Sequence, residues 1–403
     1  MKNNWKKVKL GDITTKIGSG ATPTGGKNSY GNHGISLIRS LNVYDFKFEE
    51  KNLAFINDIQ AKKLQNVEIC ENDILLNITG ASVGRCCIVP KEILPARVNQ
   101  HVSIIRIKKE SADAHFVFYY INSFQNKNRF LGLAQGGATR EALTKTTIEN
   151  YEIDFPSLPI QQKIASVLSA YDDLIEVNNK RIKILEEMAQ RIYNEWFVEF
   201  KFPGHEKVKI KNCVPEGWEE REVKDFVEFE RGIEPGSKNY LDKKNKGSIP
   251  FLRVGDLGSR SSNIFIEEEL AKGKILNKDD IAVSMDGTVG IVKNGLYGAY
   301  STGIRKLVIK EDVLSKAFLY NLMKSEDIQN TIKAHAQGAT ILHASRSIDY
   351  MRFVFPPADL MGEFNEIVEP TLNLRINLKE SVDNLRETRD LILPKLMSGE
   401  IDL

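Results

Sequence analysis

The sequence predicts an α+β chain in which two repeated globular domains are separated by a pair of long antiparallel coiled-coil helices, the whole showing a pseudo-twofold repeat. Three observations carry this reading. The chain repeats itself: ICENDILLNITGASVGRCCIV (69–89) is echoed by ILNKDDIAVSMDGTVGIVKNG (275–295), and LAQGGATREAL (133–143) returns as HAQGATILHA (335–344). Order around these echoes is kept, since Trp5 answers Trp218, Arg39 answers Arg253, and Phe155-Pro156 answers Phe355-Pro356. Each copy then runs into an amphipathic helical stretch. A repeat of about 200 residues is a domain plus a helix, far beyond the period of a solenoid. Such a chain can bind two similar things at once.

Within the first copy ISLIRSLNV (35–43), DILLNIT (73–79) and HVSIIRIK (101–108) read as strands bounded by turn formers. IPFLRVGDL (249–257), DIAVSM (280–285) and RKLVIK (305–310) do so in the second. AHFVFYYINSF (114–124) and SKAFLYNLMKS (315–325) space apolar residues at three and four and form a matched pair of helices. Each unit is therefore α+β, with glycine-rich loops between its strands.

The long helices follow from a heptad. Ile164, Tyr171, Asn178, Leu185 and Ile192 recur every seven residues beside a companion stripe of Leu168, Ile175, Ile182, Ala189 and Trp196, the spacing of a coiled-coil seam. Asn178 is the polar residue on this seam, and a buried Asn fixes register at a cost in stability. Ser157 and Pro159 start the helix and Pro203-Gly204 stop it. In the second helix Phe364, Val368, Leu378, Val382, Leu385, Ile392 and Leu396 fit the same frame, with Arg375 and Arg389 intruding. Asp359 is its expected N-cap, Gly399 its terminator, and Pro370, lacking an N–H, its expected kink. The domain plan is thus 1–157, helix 158–203, 204–357 and helix 358–403. The short link (204–217) makes paired helices run antiparallel, separating the globular copies by at most about 60 Å for roughly 40 residues.

Composition narrows the class. Hydrophobic residues at 41% and charged residues at 27% are those of a water-soluble globular protein. No apolar run approaches the roughly 18 to 20 residues of a membrane span, and MKNNWKKVKLGD lacks the apolar core of a signal peptide, so a cytoplasmic location is expected. Cys70, Cys86, Cys87 and Cys213 show no C-x-x-C spacing, which favours free thiols over a zinc or disulfide framework. Charge is divided along the chain: residues 1–158 hold 21 Lys+Arg against 15 Asp+Glu and 204–358 hold 24 against 22. The helical segments 159–203 (6 against 7) and 359–403 (5 against 10) lean acidic. Basic globular parts suit a polyanion, and acidic helices suit a protein partner or water.

Catalytic patterns are missing. GSGATPTGGKN (18–28) encloses five residues between Gly20 and Gly26 and puts Asn28 after Lys27, so it is not a P-loop. There is no H-E-x-x-H, G-x-S-x-G or zinc-deaminase signature, and Phe355-Pro356-Pro357-Ala358 is a helix entrance. Six histidines stand singly, with His101 and His343, beside polar loops, best placed to touch a ligand. What remains are the repeated loops. LNITGASVGR (76–85), VSMDGTVG (283–290) and the two AQG loops put small polar residues around glycines. Gly80, Gly84, Gly287 and Gly290 read first as strand-ending turns, and second as points of close backbone approach. Polar side chains differ between the copies: Arg140 and Lys145 face His343 and Arg346, and ARVNQHVS (96–103) faces AYSTGIRK (299–306). A shared frame with divergent side chains suits two modules reading different sequences.

Taken in order, GDITTKIGSGATPTGG (11–26), GGAT followed by FPSLPIQQKIA (155–165), a second copy, and a last helix ending LPKLMSGEI (393–401) make the chain resemble, over its whole length, the specificity subunits of type I restriction-modification systems. The resemblance implies a non-catalytic reader of double-stranded DNA that takes one half of a bipartite site per globular copy. The paired helices then set the spacer and dock two methyltransferase subunits, and two restriction/motor subunits complete the assembly. S-adenosylmethionine, ATP and magnesium belong to those partners, and this chain needs no metal or cofactor of its own. The location implied is the cytoplasm of a bacterium or archaeon. Contacts to bases or phosphates are expected from Ser19, Thr22, Arg39, Thr79, Ser82, Arg85, Asn99, Gln100, Thr139 and Arg140 in the first copy. In the second they are expected from Arg253, Asp256, Ser284, Asp286, Thr288, Ser301, Thr302, Arg305, Thr340, His343 and Arg346. One departure stands out: the second helix opens DLMGEFNEIV (359–368), without the Q-x-K-I-A entrance of the first. Alternatives remain an orphan subunit serving a methyltransferase only, a coiled-coil scaffold without DNA readout, and a nuclease. Glu267-Glu268-Glu269, the acidic run a nuclease would need, reads as a solvated face.

Overall fold

Runs such as Ile74-Leu75-Leu76 hold no polar residue because the sheet that contains them is buried on both faces. The computed structural model describes residues 5–135, 142–258, 262–310 and 313–401. In its first copy Thr14–Ser19, Val102–Ile107, Ile74–Asn77 and Cys86–Ile88 form, in that order, a four-stranded antiparallel sheet. Successive residues of a strand face opposite sides. Ile74, Leu76 and Ile105 accordingly enter a core shared with the helix Ala114–Asn122, and Leu75, Cys87 and Ile104 enter a second core. A three-stranded sheet of Ala54–Ile56, Ile35–Ile38 and Ala96–Val98 closes that second core.

The second copy repeats the plan. Val227–Arg231, Ile304–Ile309, Ile281–Ser284 and Val292–Lys293 make its four-stranded sheet, with Phe265–Glu267, Ser248–Leu252, Gly298–Tyr300 and Ile275–Leu276 as companion. Ile281, Val283 and Leu307 pack with the helix Lys316–Lys324, while Ala282 and Ile304 face a separate cluster. The matched helices start alike: the Phe116 N–H donates to Asp113 Oδ1 (2.9 Å) and the Phe318 N–H to Ser315 Oγ (3.0 Å). Such N-caps are each worth about 1 kcal/mol. Two strands close each copy, Lys6–Lys9 with Glu152–Phe155 and Glu219–Glu222 with Arg352–Phe355.

Two strands stop earlier than their sequences suggest, and for the same reason. The Arg39 N–H donates to Asn42 Oδ1 (3.1 Å), and the Arg253 N–H donates to Asp256 Oδ2 (2.8 Å). A side chain three residues on thus captures the backbone donor a ladder would have used. ISLIRSLNV is extended only to Ile38 before its turn, and IPFLRVGDL only to Leu252.

Helix Leu158–Tyr193 gives way to a wider turn over Asn194–Val198, short of the expected end at 203, and Phe200 at φ +58° closes off further helix. Trp196 lies in that turn. The second helix, Ala358–Met397, runs on through Pro370. Asp359 stands in its first turn, where its Oδ1 accepts from the Leu360 N–H (3.0 Å), and Gly399 at φ +68° ends it. Every expected seam residue is buried or half-buried, including Tyr171, Ile182, Leu185, Leu385 and Ile392.

The chain divides into two units, Met1–Glu176 with Asp383–Leu403, and Val177–Val382. In the first, Ile164 and Leu168 join Leu393, Leu396 and Met397 in the core. Asp172 accepts from the Tyr119 hydroxyl (2.6 Å) and from Arg389, whose guanidinium lies 3.9 Å from the centre of the Phe46 ring. In the second, Tyr193, Phe197, Phe318 and Phe364 stack edge to face, Asn178 donates to Ser381 (3.4 Å), and Arg375 donates to Glu186. The two arginines that interrupt the apolar frame therefore have acidic partners on the other helix. Among the described residues no helix is long and apolar enough to cross a membrane, and no group of three or more His, Cys, Asp or Glu gathers to hold a metal ion. All four cysteines are free, and burial pushes the Cys86 thiol up to about 12.

Burial would raise the Glu186 carboxyl, yet Lys324 and Arg375 outweigh it and hold the group below its ordinary value of 4.5. A depressed carboxylate contributes stability above its unfolded pKa and loses it as pH falls through the folded one. Glu186→Gln, which leaves Arg375 buried and unpaired, is expected to cost about 2–3 kcal/mol at neutral pH. The gap in melting temperature between variant and parent should close as pH is taken below 4.5, as calorimetry across that range would show.

Candidate nucleic-acid interface

Strand register gathers the repeated loops at one end of each four-stranded sheet. In the first copy Ser103 pairs with Ser19, Val102 with Asn77, and Leu76 with Cys86. The strand ending at Ser19, the turn 99–101 and the turn 78–85 therefore share an end. Arg39 joins them, because Ile38 pairs with Val98 and the Asn99 N–H donates to Ile38 O (3.0 Å). Arg231 with Arg305, Ser284 with Ile304, and Val283 with Val292 do the same in the second copy, where the Ser301 N–H donates to Leu252 O (2.9 Å). The loops near each copy's end are then stitched on. The Leu143 N–H donates to Ile78 O (2.9 Å) and the Ala344 N–H to Met285 O (2.8 Å), beside the matched bridges Thr79 with Ala142 and Asp286 with His343.

A glycine allows each end to close. A Cβ on Gly20 would lie 1.9 Å from Val98 O, and one on Gly232 would lie 2.2 Å from Tyr300 O. Here the strand's end and the neighbouring turn touch backbone to backbone, for which only glycine has room. The glycine-rich stretch that imitates a P-loop is explained at Gly20 by packing.

The expected contact residues fall into three groups. Ser19, Thr22, Gln100, Arg253, Thr288, Thr340, His343 and Arg346 are exposed. Arg39, Thr79, Ser82, Arg85, Asp256, Asp286 and Thr302 are half-buried. Thr139 and Arg140 lie outside the described residues. Asn99, Ser284, Ser301 and Arg305 are buried, contrary to the surface contact expected of them. Ser284 Oγ donates to Thr288 O (2.6 Å) and accepts from the Ile291 N–H (2.8 Å), so it locks its turn. Asn99 Oδ1 accepts from the His101 N–H (3.1 Å). Arg305 donates to Ser345 Oγ (2.9 Å) and to the carbonyls of Thr302 and Ile304, and its burial lowers its pKa. These side chains hold the loops.

Two histidines organise what is left open. Thr79 Oγ1 lies 2.7 Å from His101 Nδ1, and Gln100 Nε2 lies 3.3 Å from His101 Nε2. In the second copy His343 Nδ1 lies 2.8 Å from Asp286 Oδ1. Exposed hydroxyls, amides and guanidinium groups at the end of a rigid sheet can bond phosphate oxygens and base edges.

Several residues at these ends escaped the sequence reading. Tyr44 and Tyr30 lie under the guanidinium groups of Arg85 (4.6 Å) and Arg39 (5.3 Å). No spacing links Tyr44 to Arg85; strand contact does, through the Phe46 N–H donating to Cys86 O (3.2 Å). Ile341 and Leu342 are exposed on a loop closed by paired hydrogen bonds between Gln337 and His343. Two apolar residues inside a glycine-rich polar loop were the signal, since such side chains can touch a thymine methyl.

Comparison with known proteins agrees with this geometry. The model of the family described as the type I restriction modification DNA specificity domain matches residues 2–187 and 215–356. The chain belongs to this family. It is 28% identical over 415 residues to the type I restriction enzyme MjaIX specificity subunit of Methanocaldococcus jannaschii, covering 99% of this chain and 94% of that one. With the type I restriction enzyme HindI specificity subunit of Haemophilus influenzae it shares 24% identity, over 99% of this chain and all of the relative. A crystal structure of a type I restriction-modification S subunit from M. genitalium shares the family fold, with a TM-score of 0.61 at 17% identity over 98% of this chain and 97% of that one.

The close approach at the sheet end is testable. Gly232→Ala is expected to force the 300–301 backbone away and to cost about 3 kcal/mol or more, as overpacking does. Its melting temperature should fall well below that of Gly255→Ala, a position in the same copy without a positive φ and with nothing within 4 Å of the added carbon.

Proposed function

We propose that this chain is the DNA sequence-specificity subunit of a type I restriction-modification complex, in which each globular repeat binds one half of a bipartite double-stranded site. The observation that carries the reading is the duplicated loop-bearing sheet end, with matched frame and unmatched side chains, in a chain whose two copies both fall within the specificity-domain family. The relatives of full length are named as specificity subunits. The domain plan follows as recognition domains over 1–157 and 204–357, joined by the helices of 158–203 and 358–403.

The helices act as an antiparallel coiled-coil pair that sets the spacer and docks the methyltransferase subunits. Contacts within the second unit support this, since Asn178 meets Ser381 while Glu186 meets Arg375. Advancing along one helix retreats along the other. At 36 residues the first helix extends roughly 54 Å, against about 34–36 Å for one turn of duplex. The chain is a non-catalytic member of its complex. Two methyltransferase subunits would bring S-adenosylmethionine and flip the target adenine, and two restriction/motor subunits would bring ATP and magnesium. An orphan form serving a methyltransferase alone would use the same interface, and the cytoplasm of a bacterium or archaeon is where either would work.

Methylome sequencing of cells that express the chain with its methyltransferase tests this directly. A two-part adenine-methylated motif with a fixed gap is expected. Arg85→Ala should weaken or relax one half of the motif and Arg346→Ala the other, each by roughly tenfold. Equal loss at both halves from either variant would contradict the two-reader arrangement.

A further inference from the structure

The position two residues beyond the strand Ile74–Asn77, and beyond its counterpart Ile281–Ser284, differs in chemistry between the copies while keeping its place. In the first copy it is Thr79, bridged to Ala142, its hydroxyl held by His101. In the second it is Asp286, bridged to His343 and held by that same histidine through Oδ1. The other carboxylate oxygen, Oδ2, receives no hydrogen bond from any described residue. Gly303 packs closely beside it: a Cβ there would lie 2.7 Å from Val254 Cγ2, 3.3 Å from the Asp286 Cβ and 3.7 Å from Oδ2, so the residue opposite Asp286 can carry no side chain. The Asp286 side chain is 19% exposed, enough to be reached without being free to turn away.

A carboxylate at a face that meets a polyanion is repelled by phosphate; Arg305 nearby offsets part of that charge, and a donor on the ligand would complete the free oxygen Oδ2. Duplex DNA offers such donors in the major groove as the exocyclic amino groups of cytosine N4 and adenine N6. Guanine O6 and N7 and thymine O4 are acceptors there and would be repelled. Resting on the reading of the chain as a specificity subunit, we infer that Asp286 is a specificity determinant of the second repeat, selecting an amino-bearing base, cytosine or adenine, at one position of its half-site. His343 is its positioning residue, pinning Oδ1 so that Oδ2 stays available. Thr79, which can donate or accept, occupies the same place in the first repeat and excludes fewer bases.

The test compares the methylated motif of the parent with those of Asp286→Ala, His343→Gln and Thr79→Asp, each expressed as the full chain with its methyltransferase. The parent motif is expected to show, in one half only, a position restricted to cytosine or adenine, and the motif itself tells which. Asp286→Ala should admit other bases at that position alone, lowering its preference roughly tenfold or more. His343→Gln should loosen the same position to a smaller degree. Thr79→Asp should add a new cytosine or adenine restriction in the opposite half, an arm that decides the matter even if Asp286→Ala fails to fold. An unchanged motif with Asp286→Ala, or an even loss of methylation at every site by a folded variant, would overturn the assignment. Failure of the specificity-subunit reading is distinguishable, because the parent chain would then give no bipartite motif at all.

Discussion

The contact on which the rest of the interface depends is backbone against backbone at the end of each four-stranded sheet. Gly20 under Val98 and Gly232 under Tyr300 bring the end of one strand against the turn that starts the next. Without that approach the turns 99–101 and 301–303 would stand away from the sheet. The hydrogen bonds from Leu143 to Ile78 and from Ala344 to Met285 then draw the last loop of each copy to the same end. Three loops from distant parts of the sequence are thereby placed side by side on a sheet buried on both faces. Precise recognition needs such a support, because a loop held only by its own ends cannot fix a hydrogen-bonding group to a fraction of an ångström.

The long helices solve a different problem by different means. An uninterrupted apolar seam would be more stable but would tolerate slippage by a heptad. Asn178 with Ser381, Arg375 with Glu186, and Arg389 with Asp172 place polar partners at particular heights within the units. Their cost shows at Asp172, where burial raises the carboxyl pKa despite Arg389. At Glu186 the surrounding cations win instead. Buried pairs of this kind add little net stability, and their best-attested use is to specify register. Under the proposed spacer role, register is the property that matters.

Much of this was legible in the sequence because repetition separates frame from content. Strands at 73–79 and 280–285, the helices at 114–124 and 315–325 and the helical heptads all follow from periodicity and appear within a few residues of their expected places. The early ends at Ile38 and Leu252 were hidden because an i to i+3 side-chain bond competes with the ladder without altering the hydrophobic pattern. At the interface, composition could mark the loops but could not sort their residues. Ser284 and Thr288 are equally polar, yet one is enclosed by its own turn and the other exposed. Arg375 and Arg389 looked like flaws in a heptad until their acidic partners, nearly 200 residues or more away in sequence, were in view.

The two histidines show how such a frame can change what it reads. Thr79 and Asp286 occupy the same bridge, yet His101 comes from the turn before a strand, whereas His343 comes from the loop near the end of its copy. Strand register, in which Val102 opposite Asn77 matches Ile304 opposite Ser284, shifts the sequence pairing of 96–103 with 299–306 by one residue and puts Gly303 at the place of His101; the bridges put Ala142 at the place of His343. The ring has changed its element of origin, and its target position has stayed fixed. Gly303 has no room for a side chain in the second copy, because a Cβ there would lie 2.7 Å from Val254 Cγ2. Substitutions at such positions alter hydrogen-bonding chemistry without touching the strand pairings or the glycine contacts beneath them. A reader built this way can acquire a new preference by a few compensating side-chain changes, while the packing that positions them is left intact.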